Sequence, residues 1–163
     1  MKILVLCTGN SARSILGEAL FNTLGAGKIE AFSAGSKPVG APNPYAIKLL
    51  QSKGIETSGF RSKSWDEFTG EGAPAIDIVV TVCGNAAGET CPIWTGSPVT
   101  VHWGYPDPAG VEGSDEDILA AFEKVFDGLK ANIEAFMKLD HGTLSTAELK
   151  SAMLAIHAEN SGE

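Results

Sequence analysis

The strongest constraint on this chain lies in its first 25 residues. Ile3 to Leu6 is a continuous apolar run, the pattern of a central parallel strand covered on both faces. Cys7-Thr8-Gly9-Asn10-Ser11 then breaks the run with turn formers. Ile15, Leu16, Ala19, Leu20 and Leu24 follow at helical spacing, and Gly25 supplies a stop. A buried strand, a tight polar loop and an amphipathic helix in succession point to an open α/β sheet, where ligands bind at the carboxyl ends of strands.

The rest of the chain repeats the alternation. Lys28 to Ser33 reads as a second strand, Ala34 to Pro44 as a Gly/Pro-rich link, and Tyr45 to Lys53 as a helix. From Thr57 to Pro74 the signal is weak, with Trp65 and Phe68 as anchors. Ile76 to Val82 is rich in β-branched residues and reads as a third strand, placing Cys83 at its carboxyl end; Val99 to Trp103 reads as a fourth. Ser114, Asp115, Glu116 and Asp117 cap and charge a helix start. Ile118, Phe122, Val125, Leu129, Ile133 and Phe136 then form its apolar stripe. A last helix opens at a capping box, Ser145-x-x-Glu148, with Leu144 and Leu149 as its staple. Its face of Leu149, Met153 and Ile156 is expected to dock on the domain.

The chain's 163 residues suit one domain. Twelve basic against 20 acidic residues leave a formal net charge of −8. That field repels nucleic acid and anionic membranes, so an anionic substrate needs a local device working against it. No apolar run approaches the ~18 residues of a membrane span, and the N-terminus lacks a signal-peptide layout; a cytoplasmic protein is expected. Cys7, Cys83 and Cys91 are an odd count and do not make a disulfide scaffold. Taken singly, each could be a small buried hydrophobe.

Cys7 and Arg13 enclose five residues, and Ser14 comes next. A loop wound between a strand and a helix N-terminus can turn successive backbone N–H groups onto a tetrahedral oxyanion. Gly9 is expected to let the backbone approach closely, and Asn10 to accept a left-handed conformation. Arg13, at the first helical turn, can offer a planar fork to two oxygens. The same donors favour thiolate at Cys7, and Ser14 is placed to steady it. Cys-x5-Arg recurs by chance, but its place between a buried-type strand and a helix makes it specific.

Cys7-Thr8-Gly9-Asn10-Ser11-Ala12-Arg13-Ser14 resembles the phosphate-binding loop of low-molecular-weight protein tyrosine phosphatases, and more closely that of their redox relatives, the thioredoxin-coupled arsenate reductases. The resemblance spans about residues 1–139 and leaves 140–163 as a C-terminal helical extension. It implies a single-domain, four-stranded parallel sheet flanked by helices, with Cys7 as nucleophile and Asp107, in His102-Trp103-Gly104-Tyr105-Pro106-Asp107-Pro108, as general acid. His102 reads as a structural strand end. The resemblance further implies a thiol relay. Cys83 attacks the Cys7–arsenate adduct, arsenite leaves, and Cys91 draws the disulfide outward to Cys83–Cys91 for thioredoxin or a glutaredoxin/glutathione couple to reduce. Cys83 and Cys91 stand eight residues apart, ~12 Å on an intact helix against the ~7 Å that a disulfide allows between Cα atoms. Residues 84–96 are therefore expected to rearrange and to be the most mobile part of the chain.

Departures from the phosphatase pattern favour the reductase. Ala12 stands where many phosphatases carry a second loop cysteine, and Ala109 where tyrosine usually follows Asp-Pro. Some reductases of this branch bind potassium with residues matching Asn10, Glu18 and Ser33, all present here. Their fourth, acidic ligand aligns near Trp65, so the potassium set is incomplete and no tightly bound cofactor is expected. A zinc site from Cys83, Cys91 and His102 fits poorly in ligand spacing and count. The alternatives are a low-molecular-weight phosphatase, or a non-enzymatic module that binds oxyanions or senses arsenite through its thiols.

Overall fold

The computed structural model describes residues 1–70, 72–82 and 98–160. Four strands, β1 (Lys2–Cys7), β2 (Glu30–Gly35), β3 (Ile78–Thr81) and β4 (Val99–His102), form one parallel sheet in the order β2-β1-β3-β4. With them go helices α1 (Arg13–Leu24), α2 (Pro44–Ser52), α3 (Asp115–Met137) and α4 (Thr146–Asn160). The chain leaves β1 for β2 on one side and returns to β3 on the other. The topological switch point therefore falls between the carboxyl ends of β1 and β3, and Cys7 is the last residue of β1.

Two strands differ from their sequence patterns. Lys28 and Ile29 do not open β2: both donate their N–H to Gly25 O, at 2.9 and 2.8 Å, and so close the turn that follows α1. The apolar run 76–82 exceeds β3, although Asp77 N and Val82 N still bond Lys2 O and Leu6 O of β1, each at 2.9 Å.

Helix α1 is not amphipathic. Its residues Ser14 to Phe21 are all buried, because it packs against β1, β2 and α3 at once. A Cβ at Gly17 would stand 2.9 Å from Val5 Cγ1, so the helix needs glycine there to lie this close to β1. The polar members of α1, Ser14 and Glu18, are consequently carried into the interior.

Alternation along β1 splits the core. Ile3, Val5 and Cys7 join the large cluster with α1 and α3, while Leu4 and Leu6 pack with Ala34, Phe68, Ile76 and Val79 on the opposite face. Trp65 and Phe32 border that second cluster, which bears out the two aromatic anchors read from the weak segment. Ser114 caps α3 in a reciprocal box with Asp117.

Helix α4 docks as its stripe implies, with Leu149, Met153 and Ile156 buried. Ser145 and Glu148 exchange the two capping hydrogen bonds at 3.0 and 3.1 Å. Beneath α4 the fully buried Trp103 stacks on Phe21, centroids 6.1 Å apart, and donates its indole N–H to Met153 O at 2.9 Å. The last helix thus covers the residue that leads out of β4 into the Asp107 loop. Met153→Ala should lower the unfolding free energy by about 2–5 kcal/mol, the usual range for emptying a fully buried methionine site. A urea titration showing a loss below about 1 kcal/mol would mean that α4 is dispensable to the core.

Candidate active site

At the end of β1, the Cys7 thiol is buried, and its Sγ lies 3.0 Å from Ser14 Oγ. Ser14 sits in the first turn of α1, so strand and helix meet through this contact. Between them, Asn10 has a φ of 45° and is the one non-glycine residue with positive φ among the described residues, as expected of asparagine in a tight loop.

The Asn10 side chain is wholly inside the protein. Its Oδ1 accepts the Lys63 N–H at 2.8 Å, and its Nδ2 donates to Ser14 Oγ and Ser33 Oγ, both at 2.9 Å. Ser14 Oγ therefore accepts from Asn10 while it faces the sulfur, linking the loop amide to Cys7.

The loop carbonyls are claimed from outside. Thr8 O accepts Lys37 N at 2.9 Å, Gly9 O accepts Val39 N and Ser62 Oγ at 3.1 and 3.0 Å, and Ser11 O accepts Asn43 N at 2.8 Å. In a planar trans peptide the following N–H points the opposite way, so the N–H groups of Gly9, Asn10 and Ala12 turn away from those partners. Ala12 opens α1 without a side-chain cap, and no acid occupies the first turn. The helix start therefore has first-turn N–H groups that its own cap residue does not satisfy. Thr8 through Ser14 thus wind from β1 into α1 with the carbonyls of Thr8, Gly9 and Ser11 turned outward.

The close approach expected at Gly9 falls elsewhere. A Cβ at Gly9 would meet Val39 Cγ1 at an ordinary 3.4 Å. At Gly35, paired with Cys7 in the β1–β2 register, a Cβ would collide with Thr8 O and lie 3.0 Å from Asn10 N. Gly35 is the glycine that admits the loop. Nothing near Cys7 in sequence marks it, because the contact exists only once β2 pairs with β1.

Arg13 and Asp107 come together across the mouth. Arg13 Nη1 donates to Tyr105 O at 2.8 Å, and Nη2 stands 3.9 Å from Asp107 Oδ1. The Arg13 side chain is mostly enclosed, whereas that of Asp107 is 54% exposed. Asp107 Oδ1 also accepts Ala109 N at 3.0 Å, capping the turn at Pro108–Gly110, which fixes the carboxylate at the rim. Tyr105 is held from behind: its hydroxyl accepts Asn132 Nδ2 at 2.7 Å and its ring meets His157 of α4 edge-on at 5.2 Å. Burial pushes its phenol pKa up. His102 pairs with Thr81 across the sheet, Nδ1 to Oγ1 at 2.8 Å, the strand-end role expected of it.

Below the loop lies a buried ion pair absent from the sequence reading. Lys63 Nζ is 3.7 Å from Glu18 Oε1, and the same oxygen accepts the Ser33 hydroxyl at 3.1 Å. The acidic residue sought near Trp65 is replaced at this cluster by the lysine two positions earlier. Among the described residues, no group of three or more His, Cys, Asp or Glu side chains could hold a metal ion. Cys83, Cys91 and the segment 84–96 lie outside the described residues. No helix among the described residues is long and apolar enough to cross a membrane.

A parallel sheet carrying a cysteine at the end of its first strand, in a loop that leads into a helix opening with arginine, defines a thiol enzyme of the phosphatase-loop class. The model of the low molecular weight phosphotyrosine protein phosphatase family matches residues 2–151, reaching into α4. An arsenate reductase of Halalkalibacterium halodurans is 38% identical over 82% of this chain and 93% of its own length. One from Bacillus subtilis is 35% identical over the same shares. A solved arsenate reductase in its phosphate-binding state superposes with a TM-score of 0.63 at 29% identity, covering 82% of this chain and 96% of that one. This chain belongs to the low molecular weight phosphotyrosine protein phosphatase family, on the branch of its arsenate reductases.

Gly35→Ala should weaken binding of inorganic phosphate by at least about tenfold, equivalent to ~1.4 kcal/mol, through displacement of Thr8 and Asn10. Calorimetric titration giving an unchanged Kd would show that the loop tolerates the methyl group and does not depend on this contact.

Proposed function

We propose that the protein reduces arsenate to arsenite through Cys7, Cys83 and Cys91. The observation that carries the first half is the contact of Ser14 Oγ, itself held by Asn10, with Cys7 Sγ at 3.0 Å where β1 meets α1. Two relatives above one-third identity, both arsenate reductases, support the choice of oxyanion.

Arsenate enters the loop against the chain's negative charge, held by the Arg13 guanidinium and the N–H groups around the start of α1. Cys7 attacks arsenic, and an arsenate oxygen leaves as water after taking a proton from Asp107. Arg13 stands 3.9 Å from Asp107, so it can screen the charge left there as the proton departs. Cys83 then attacks the Cys7 sulfur. The S–S bond forms as the S–As bond breaks, and its electron pair stays on arsenic, which falls from the pentavalent to the trivalent state. Cys91 attacks Cys83, releasing Cys7 as thiolate and leaving a Cys83–Cys91 disulfide. Two electrons leave two thiols and two arrive on arsenic.

The oxidised pair then needs an external dithiol or glutathione. We assign this step to thioredoxin, with a glutaredoxin/glutathione couple as the other donor of the same chemistry. A cascade that starts from free thiols suits the reducing cytoplasm. Hydrolysis of a phosphate ester would need neither Cys83 nor Cys91, and their presence in the sequence favours reduction.

After one arsenate turnover without reductant, thiol counting should show two thiols lost, mapped by peptide analysis to Cys83 and Cys91. Cys83→Ser and Cys91→Ser should each abolish arsenate-dependent NADPH consumption with a thioredoxin system. Either variant sustaining multiple turnovers would refute the relay. Efficient cleavage of an aryl phosphate with no arsenite formed would identify a phosphatase instead.

A further inference from the structure

The Glu18–Lys63 pair takes no part in the steps above, yet it sits directly beneath them. Both side chains are inside the protein, 11% and 8% exposed. A carboxylate this deep is tolerated when a cation accompanies it. Burial pushes the Glu18 carboxyl up and the Lys63 ammonium down in pKa, and their mutual attraction opposes both trends. Lys63 Nζ also donates to Arg61 O at 3.2 Å, which holds the ammonium on the Glu18 side.

The hydrogen bonds between this pair and the sulfur run outward from the Asn10 amide on both sides. Glu18 Oε1 accepts from Ser33, Ser33 accepts from Asn10, Asn10 donates also to Ser14, and Ser14 faces Cys7. Ionised Glu18 is the member that keeps the Ser33 hydrogen pointing away from Asn10. If Glu18 lost its cation, a buried carboxylate would be left unpaired under the loop, and the Ser33 and Asn10 brace would lose its anchor.

Lys63 acts on the loop twice, since its backbone N–H also fixes which way the Asn10 amide points. Glu18 already faces the Lys63 ammonium, which stands where a free cation would go. The residues matching Asn10, Glu18 and Ser33 therefore do not fit a potassium ion here.

We propose that Lys63 is a positioning residue whose ammonium serves as a covalently attached monovalent cation, bracing Glu18, Ser33 and Asn10 under the anion loop so that no free potassium is needed. The proposal deepens the reductase reading above, but oxyanion binding tests it without any reduction.

Phosphate affinity is measured by calorimetry at equal ionic strength in choline, potassium and ammonium chloride. The wild-type protein should give one Kd in all three salts. Lys63→Met should bind phosphate about tenfold or more weakly in choline chloride, the usual size for losing an outer-shell partner, and should recover most of that loss in ammonium or potassium chloride. Lys63→Gln, which keeps a polar group without the charge, should behave as Lys63→Met does. Severalfold tighter binding by the wild type in potassium, an unchanged Kd in Lys63→Met, or a loss that no cation restores would each overturn the proposal. Variants that fold only in ammonium or potassium would support it, and variants unfolded in every salt would sink it. A wild type that binds phosphate normally but forms no arsenite would refute the reductase reading and leave this one standing.

Discussion

Asn10 is the side chain on which the site depends. One amide, with no exposure to solvent, joins the loop of residues 7–14, the end of β2 and the segment before Trp65. A buried amide has two donors and an acceptor to satisfy, and leaving any of them unpaired is expensive. Here one donor bond braces α1, another braces β2, and the acceptor is used by the backbone of residue 63. Since all three partners come from different parts of the chain, satisfying Asn10 requires the loop, the sheet and the connection to arrive in register together.

Burial of α1 follows from the same geometry. A helix with only one face against the sheet would have left Glu18 in water, where it would need no partner. Packing α1 against β1, β2 and α3 carries Glu18 inside, and with it the need for Lys63. Electrostatic support for the loop is thus a consequence of how deeply the helix is set. A strongly acidic chain can hold an oxyanion in this way because its local dipoles and a few placed cations act at short range, where the overall field is weaker.

The mouth of the site is built from a different part of the fold. Tyr105 O and Asp107 hold the Arg13 fork, and Tyr105 is in turn gripped by Asn132 of α3 and His157 of α4. Trp103, immediately before this loop, is sealed by Met153. The last helix therefore belongs mechanically to the loop that carries Asp107, although it lies far from Cys7 in sequence.

Local chemistry was enough to read β1, α1 and the loop between them, the caps at Ser114 and Ser145, and the docking stripe of α4. Each of these signals is carried by neighbours along the chain: an apolar run, a helical period, a serine three residues before an acid. Arg13 and Asp107 could each be named as candidates because a motif marks each residue, while their meeting across the mouth comes from the fold. By contrast, the need for glycine at position 35, the cation at position 63 and the exact start of β2 depend on contacts between segments far apart in the chain. Gly35 matters because parallel pairing sets it against Cys7, and Lys63 because a helix that looked amphipathic is covered on every side. Sequence alone specified which groups could do chemistry at the loop; only packing decided what holds them there, since burial is what turns an ordinary carboxylate or glycine into a requirement.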